Sequence, residues 1–475
     1  MSVFPEYPHY DGLGLARLIA AGEVSAREVL EAAIERIEML NPQFNAVVQR
    51  FYDHAEAVLA TGLPDSTLAG VPFLLKDLAL FYAGRPLSNG SRLFADFVPS
   101  HDSTLVQRYR AAGLLMLGKT NTSEFGITMA TEPVLYGPTR NPWNPNYSAG
   151  GSSGGAAAAV AAGMVPLAHA SDGGGSIRMP ASNCGLFGLK PSRARIPIGP
   201  DVGEGWSGLA GSHCISRSVR DSAALLDLSH GSEPGDPYAA PSPVRAFLDE
   251  VGVPPERLRI AVNTRAPGGF PVHPDCVQAV EQAASLCEAL GHSVEQEEFV
   301  FDAGHVLDAM WVIVVANLRN LLERRWQTLG REPSPEGLEP ITWLAAQDSQ
   351  RLSCVDYAHA LQSLHALGRR LGRFLQKWDL LLTPVMAQPP LPLGEVPMTG
   401  NDLAQFRAGM AARMPFTPLW NMTGCPAMSV PLYWTAENLP VGVHFGTRFG
   451  NEATLLRLAV QLEQARPWAN RRPTV

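Results

Sequence analysis

Two glycine clusters carry serines close together in this sequence: Gly150-Gly151-Ser152-Ser153-Gly154-Gly155 and Ser171-Asp172-Gly173-Gly174-Gly175-Ser176-Ile177-Arg178. Glycine lets backbone turn sharply and be approached closely, so each cluster can present a hydroxyl beside exposed N–H groups. That combination suits a serine nucleophile with oxyanion donors at hand. Gly173, Gly174 and Gly175 can aim several N–H groups at one point, and Ser176 follows them directly. Asp172 and Arg178 flank the turn with opposite charges and are expected to pair across it. Such a serine also needs a base. Lys76 closes the apolar run Gly70-Val71-Pro72-Phe73-Leu74-Leu75. Burial there would depress an ammonium whose usual pKa is about 10.4 and leave a neutral amine.

Two shorter patterns point elsewhere and fail on context. Gly113-Leu-Leu-Met-Leu-Gly118-Lys119-Thr120 matches a phosphate loop, but that loop must be open backbone between a strand and a helix. Here the apolar residues inside the pattern read as the strand. Gly150-Gly151-Ser152-Ser153-Gly154 matches the nucleophile elbow of Ser-His-Asp hydrolases, which needs a strand running into the serine. The preceding Asn141-Pro-Trp-Asn-Pro-Asn-Tyr-Ser-Ala-Gly150 is proline-containing and reads as a loop. None of the downstream histidines, His169 to His444, stands in a suggestive setting.

The elements that must hold these residues follow an α/β alternation. Ser25 and Glu28 form a capping box for a helix with apolar residues at Val29, Leu30, Ala33, Ile34, Ile37 and Leu40, ended by Asn41-Pro42. Gly70–Asp77 reads as a buried strand, His101–Ala112 as a helix and Leu114–Leu117 as a second strand, a βαβ unit. Ser218–Leu228 reads as a helix, and residues 231–244 form a Pro/Gly-rich surface connection. Beyond it come a strand at Leu258–Asn263, a helix at Pro274–Leu290, helical chain over 301–375 and a strand at Asp379–Thr383. A proline-rich loop over Pro384–Pro397 follows, then strands at Met428–Trp434 and Val441–Phe445 and a helix at Glu452–Leu462.

Composition narrows the partners. The chain has 475 residues, 46% hydrophobic and 17% charged, with a net charge of -8. Acidic balance argues against nucleic acid, and no run of some 18 consecutive apolar residues suggests a membrane span. The six cysteines are scattered with no metal-ligand spacing, which fits free thiols in a reducing, cytoplasmic setting. No metal site is expected.

Taken together, Gly150–Pro191 resembles the pattern of the amidase signature family. The matching pieces are Gly150–Gly155, the small-residue run Ala156–Gly163, Gly174–Arg178 and Gly188-Leu189-Lys190-Pro191. Gly70–Asp77, Gly118–Glu124, Asn421–Pro431 and Leu439–Phe445 extend the likeness over most of the chain. The resemblance implies a mixed central β-sheet flanked by helices on both faces, and one amidase signature domain over 1–475. Within it lie an N-terminal helical segment at about 10–42, a core at about 65–230 and a variable substrate-side region at about 300–425. It also implies a Ser–cis-Ser–Lys triad: Ser176 as nucleophile, Ser152 as the bridging serine after a cis peptide, Lys76 as base. The oxyanion hole falls to Gly173, Gly174 and Gly175, with Asp172, Arg178 and Ser153 supporting the loop. The acyl-enzyme route so implied needs no cofactor.

One position departs from the family. Many members carry threonine where Gly173 stands, so a looser loop is expected here. The version Ala168–Arg178 resembles a subgroup that includes hydrolases of 6-aminohexanoate cyclic dimer. The expected substrate is therefore a small linear or cyclic amide of apolar character. Its pocket is expected between 301–345 and a 400–425 loop, with Met129, Asn317 and Trp326 as lining residues. A tRNA-dependent amidotransferase A subunit is the alternative reading. An inactive binding protein with the same fold is another, and a homodimer stays open.

Overall fold

The computed structural model describes residues 3–474. Its frame is an eleven-stranded mixed sheet. In spatial order the strands are Val47–Arg50, Leu115–Thr120, Pro72–Lys76, Leu167–Asp172, Gly211–Ser216, Phe187–Lys190, Ala427–Trp434, Pro440–Gly446, Leu380–Pro384, Arg259–Val262 and Ser293–Gln296. Pro72–Lys76 pairs in parallel with Leu115–Thr120 across the helix Thr104–Ala111, as the βαβ reading requires. Gly118 and Lys119 lie inside that second strand, so no phosphate loop forms.

Alternation of side chains across the sheet decides what each face buries. Phe73 and Leu75 join one core with Leu167, Leu189 and Met428, covered by the helices Val219–Ser229, Pro274–Ala289 and Glu452–Ala465. Leu74 faces the other side, into a core made with the helices Ala26–Phe44 and Gly154–Ala161. Lys76, two residues on, shares that side. Ala156–Ala161 are all buried, and this helix comes close enough that a Cβ on Gly155 would sit 2.7 Å from the Ala46 carbonyl. This small-residue helix packs against Val47–Arg50, Leu115–Thr120 and Pro72–Lys76 alike, and Lys76 at the end of the last has no exposed surface.

Three helices, Ala303–Leu329, Pro340–Asp348 and Cys354–Lys377, extend this side of the sheet. Ala360, Leu364, Leu367, Leu371 and Leu375 make a buried stripe at helical spacing on the last of them. Among the described residues Ala303–Leu329 alone is long and apolar enough, by length and composition, to cross a membrane. Its buried Ile313, Val315, Leu318 and Leu322 belong to the core shared with Cys354–Lys377.

Three expectations change. The N-terminal helix does not stop at Asn41-Pro42 but runs to Phe44. Pro42 lies within its last turn, and the Asn41 side chain secures the exit: Oδ1 accepts from Ala46 N and Val47 N while the amide nitrogen donates to Val47 O. Residues Asn144–Ser148, read as loop, form a strand paired with Arg140–Asn141 in a separate ribbon. The 400–425 segment is mostly helical, at Leu403–Arg413 and Pro418–Thr423.

Candidate active site

Lys76 Nζ lies 2.7 Å from Ser152 Oγ and 3.0 Å from Ser171 Oγ, and both Lys76 and Ser152 are wholly buried. Burial drives the lysine pKa down to about 7, against the pull of the Asp172 charge. A neutral amine at this point can take a proton from the Ser152 hydroxyl. The Gly151–Ser152 peptide is cis. A Cβ on Gly151 would stand 2.8 Å from the Ala130 backbone, so only glycine fits before the serine. Ser153 Oγ donates to the Ser171 carbonyl at 3.2 Å and accepts from Ser171 N at 3.4 Å, tying the first cluster to the second.

The second cluster is organised by a buried ion pair. Asp172 accepts from Arg178 Nε and NH2, both at 2.9 Å, from Gly175 N at 2.7 Å and from Ile177 N at 3.1 Å. Burial opposes its ionisation, but Arg178 and the amide of Asn421 outweigh that and hold the carboxyl well below the usual carboxylate range. Arg178, with no exposed surface, also donates to Thr417 O, Asn421 Oδ1 and His444 Nε2. His444 Nδ1 faces Thr383 Oγ1, whose proton goes to Pro384 O. The network therefore assigns the proton to Nδ1 and leaves the ring neutral, with burial and the Arg178 charge holding its pKa far down. Thr417 Oγ1 donates to Gly174 O at 2.7 Å and fixes the crown of the turn.

Gly175 does not fit the oxyanion role expected of it, because its N–H is spent on Asp172. Among the described residues the N–H groups of Gly173, Gly174 and Ser176 have no acceptor. These are the donors an oxyanion would meet. Ser176 is slightly exposed, and its Oγ makes no hydrogen bond among the described residues, Ser152 included. Such a link is often long without substrate and closes in the complex. No histidine takes Lys76's place: His169 accepts the Lys76 backbone N–H, and burial lowers its pKa to about 3.

The departure at Gly173 has a physical partner. A Cβ at this position would lie 2.6 Å from the ring of Trp206. The turn is thus covered by an indole, and the expected looseness is not what the structure shows. Trp206 and Ser207 hold consecutive left-handed backbone angles, φ 49° and 51°, which non-glycine residues adopt only under constraint. The Asn421 amide ties the Trp206 loop, through Leu209 O at 3.1 Å, to Asp172.

Ser176 opens into a cavity of about 580 Å³ lined mainly by apolar side chains. Its walls come from 303–314 and 404–418, with Met129 among the lining residues as expected. Asn317 lines a second, smaller cavity. Trp326 lines neither: it is buried in the helical core, edge-on to Trp343 and beneath the Arg319 guanidinium. Sequence reasoning missed Ser171, Trp206, Thr417, Asn421 and His444. Only Asn421 and His444 lay within the quoted C-terminal pieces, and Ser171 stood beside Asp172.

The amidase family profile, described as "Amidase", matches residues 28–456. The chain belongs to the amidase family and is an amide hydrolase by kind. It is 38% identical to a 6-aminohexanoate-cyclic-dimer hydrolase of Paenarthrobacter ureafaciens, covering 98% of this chain and 96% of that protein. Among solved structures, 6-aminohexanoate cyclic dimer hydrolase complexed with substrate superposes with a TM-score of 0.94 at 36% identity, covering 98% of this chain and 99% of that one. A bacterial aryl acylamidase of the amidase signature family gives a TM-score of 0.88 at 27% identity, covering 98% and 99%.

Proposed function

We propose that this protein hydrolyses a neutral carboxylic amide, linear or cyclic and of apolar character, such as an aminohexanoate-type oligomer. The observation that carries the reading is the contact of a fully buried lysine amine with Ser152 at 2.7 Å, beside a turn that exposes Ser176 and unpaired N–H groups to an apolar cavity. Neutral Lys76 takes the Ser152 proton as Ser152 takes that of Ser176. Ser176 Oγ then bonds to the amide carbon, and the oxyanion accepts from the N–H groups of Gly173, Gly174 and Ser176. Collapse breaks the C–N bond, and Ser152 returns a proton to the leaving nitrogen. Water repeats the sequence on the acyl-enzyme and regenerates Ser176.

The substrate assignment is supported by the likeness to cyclic-dimer hydrolases and by the lining of the cavity, where methionines predominate over charge. A reducing, cytoplasmic setting is supported by six cysteines that form no disulfide, five of them buried. The test is amine release from neutral linear and cyclic amides by the purified chain alone. Turnover without any partner subunit is expected. Release that depended on added partner subunits would favour an amidotransferase, and no release under any condition would contradict the proposal.

A further inference from the structure

Ser176 lines two unequal cavities. The larger, of about 580 Å³, is walled by Met129, Met179, Met310, Met410 and Met414. The smaller, of about 180 Å³, contains Ser152, Ser171 and Asn317. Only Gly126, Ser176 and Trp206 line both. The indole that covers Gly173 is therefore also the wall between them, and a side chain at 173 would push it aside.

We infer that the cavities are the acyl and amine compartments of one site, divided by Trp206 packed on Gly173. The larger takes the acyl part and the smaller the leaving amine. This rests on the proposed triad, because the side is decided by the proton. The group that hands a proton to the leaving nitrogen must reach it, and Ser152 lines the small cavity but not the large one. The nitrogen and its substituent must then lie on the Ser152 side, with the carbonyl carbon's chain running the other way among the methionines. Unbranched, polarizable methionine adapts to a long flexible chain. A dry cavity of roughly 150 Å³ holds one benzene, so the small compartment suits an amine of about one ring. In a cyclic amide the arm bearing the carbonyl takes the larger space and the arm bearing nitrogen the smaller.

Two isomeric amides separate the alternatives: N-ethyldecanamide carries its long chain on the acyl side, N-decylacetamide on the amine side. Wild-type kcat/KM is expected to favour N-ethyldecanamide at least tenfold. Gly173→Thr and Trp206→Ala should each reduce that ratio. Should those variants fold poorly, substitutions at the half-buried Leu307 and the exposed Leu321 serve instead. Leu307→Trp narrows the large cavity and should depress turnover of N-ethyldecanamide several-fold more than that of N-ethylacetamide. Leu321→Trp narrows the small cavity and should act selectively on N-benzylacetamide. Comparable rates for the two isomers, or a preference for N-decylacetamide, overturn the assignment while leaving the amidase reading intact, provided Ser176→Ala abolishes both. Failure to hydrolyse either isomer or any other neutral amide strikes the amidase reading itself, and the compartments with it.

Discussion

Lys76 Nζ and Ser152 Oγ meet at 2.7 Å where neither residue has any surface exposed to water. The lysine is buried because the run Pro72–Lys76 is a strand interior to the sheet and an alanine-rich helix lies on its face. The same burial that makes the site dry makes the amine neutral near pH 7. Structure, protonation and chemistry here have one cause.

Activity should therefore follow the titration of this lysine. Catalysis needs the neutral amine, and burial places its pKa at about 7. Log kcat/KM is expected to rise with unit slope below pH 7 and level off above it. A plateau persisting well into the acid range, measured with a substrate that does not itself titrate, would remove Lys76 from the role of base.

The buried lysine should also cost stability, with a definite pH dependence. Its folded pKa is depressed below the unfolded value of about 10.4, so the unfolded chain binds the extra proton between about pH 7 and pH 10. The cost is complete below about pH 7 and fades as pH rises toward 10. Lys76→Met is expected to be inactive yet more stable near pH 6 by about 1–3 kcal/mol, after allowance for lost hydrogen bonds to Ser152 and Ser171. Thermal melts of both proteins from pH 6 to pH 10 would show the difference shrinking. A variant less stable than wild type near pH 6 would count against a charge-burial cost.

The two serines should separate in kinetics. Ser176→Ala is expected to lower kcat/KM by about 10³-fold or more, and Ser152→Ala by about 10²-fold or more, with little change in melting temperature for either. Retention of substrate binding by both variants, read by calorimetry, would place the loss in the chemical step.

Asp172 is expected to behave differently from either. Replacing it by asparagine leaves Arg178 buried without its counter-charge and removes an acceptor from Gly175 N and Ile177 N. A loss of about 3–5 kcal/mol is predicted for breaking such a pair. Denaturant melts of Asp172→Asn should show it, together with near-complete loss of turnover. Wild-type stability in this variant would mean that the ion pair does not hold the turn.

Much of this was legible in the residues themselves. The apolar run ahead of Lys76 announced a buried lysine, and the glycine turn before Ser176 announced a nucleophile, because both signals are local. What stayed hidden depends on segments far apart in the chain. Gly175 is the exception, since its N–H goes to Asp172 only three residues back, a local bond that the run of glycines masked. Trp206 reaches Gly173 from a separate loop, and the absent side chain at 173 was the only trace of it. Thr417 and Asn421 come to the turn from more than two hundred residues away. Trp326 was misplaced because an aromatic on a substrate-side helix can face its core as readily as its cavity, and periodicity alone does not choose.

The central claim is that Ser176, and not Ser152 or Ser171, carries the acyl group. Acid-quenching the enzyme during turnover of a slowly deacylating amide and mapping the modified peptide by mass spectrometry reads this directly. The acyl mass is expected on Ser176 and absent from Ser176→Ala. An adduct on Ser152 or Ser171, or undiminished hydrolysis by Ser176→Ala, would contradict it.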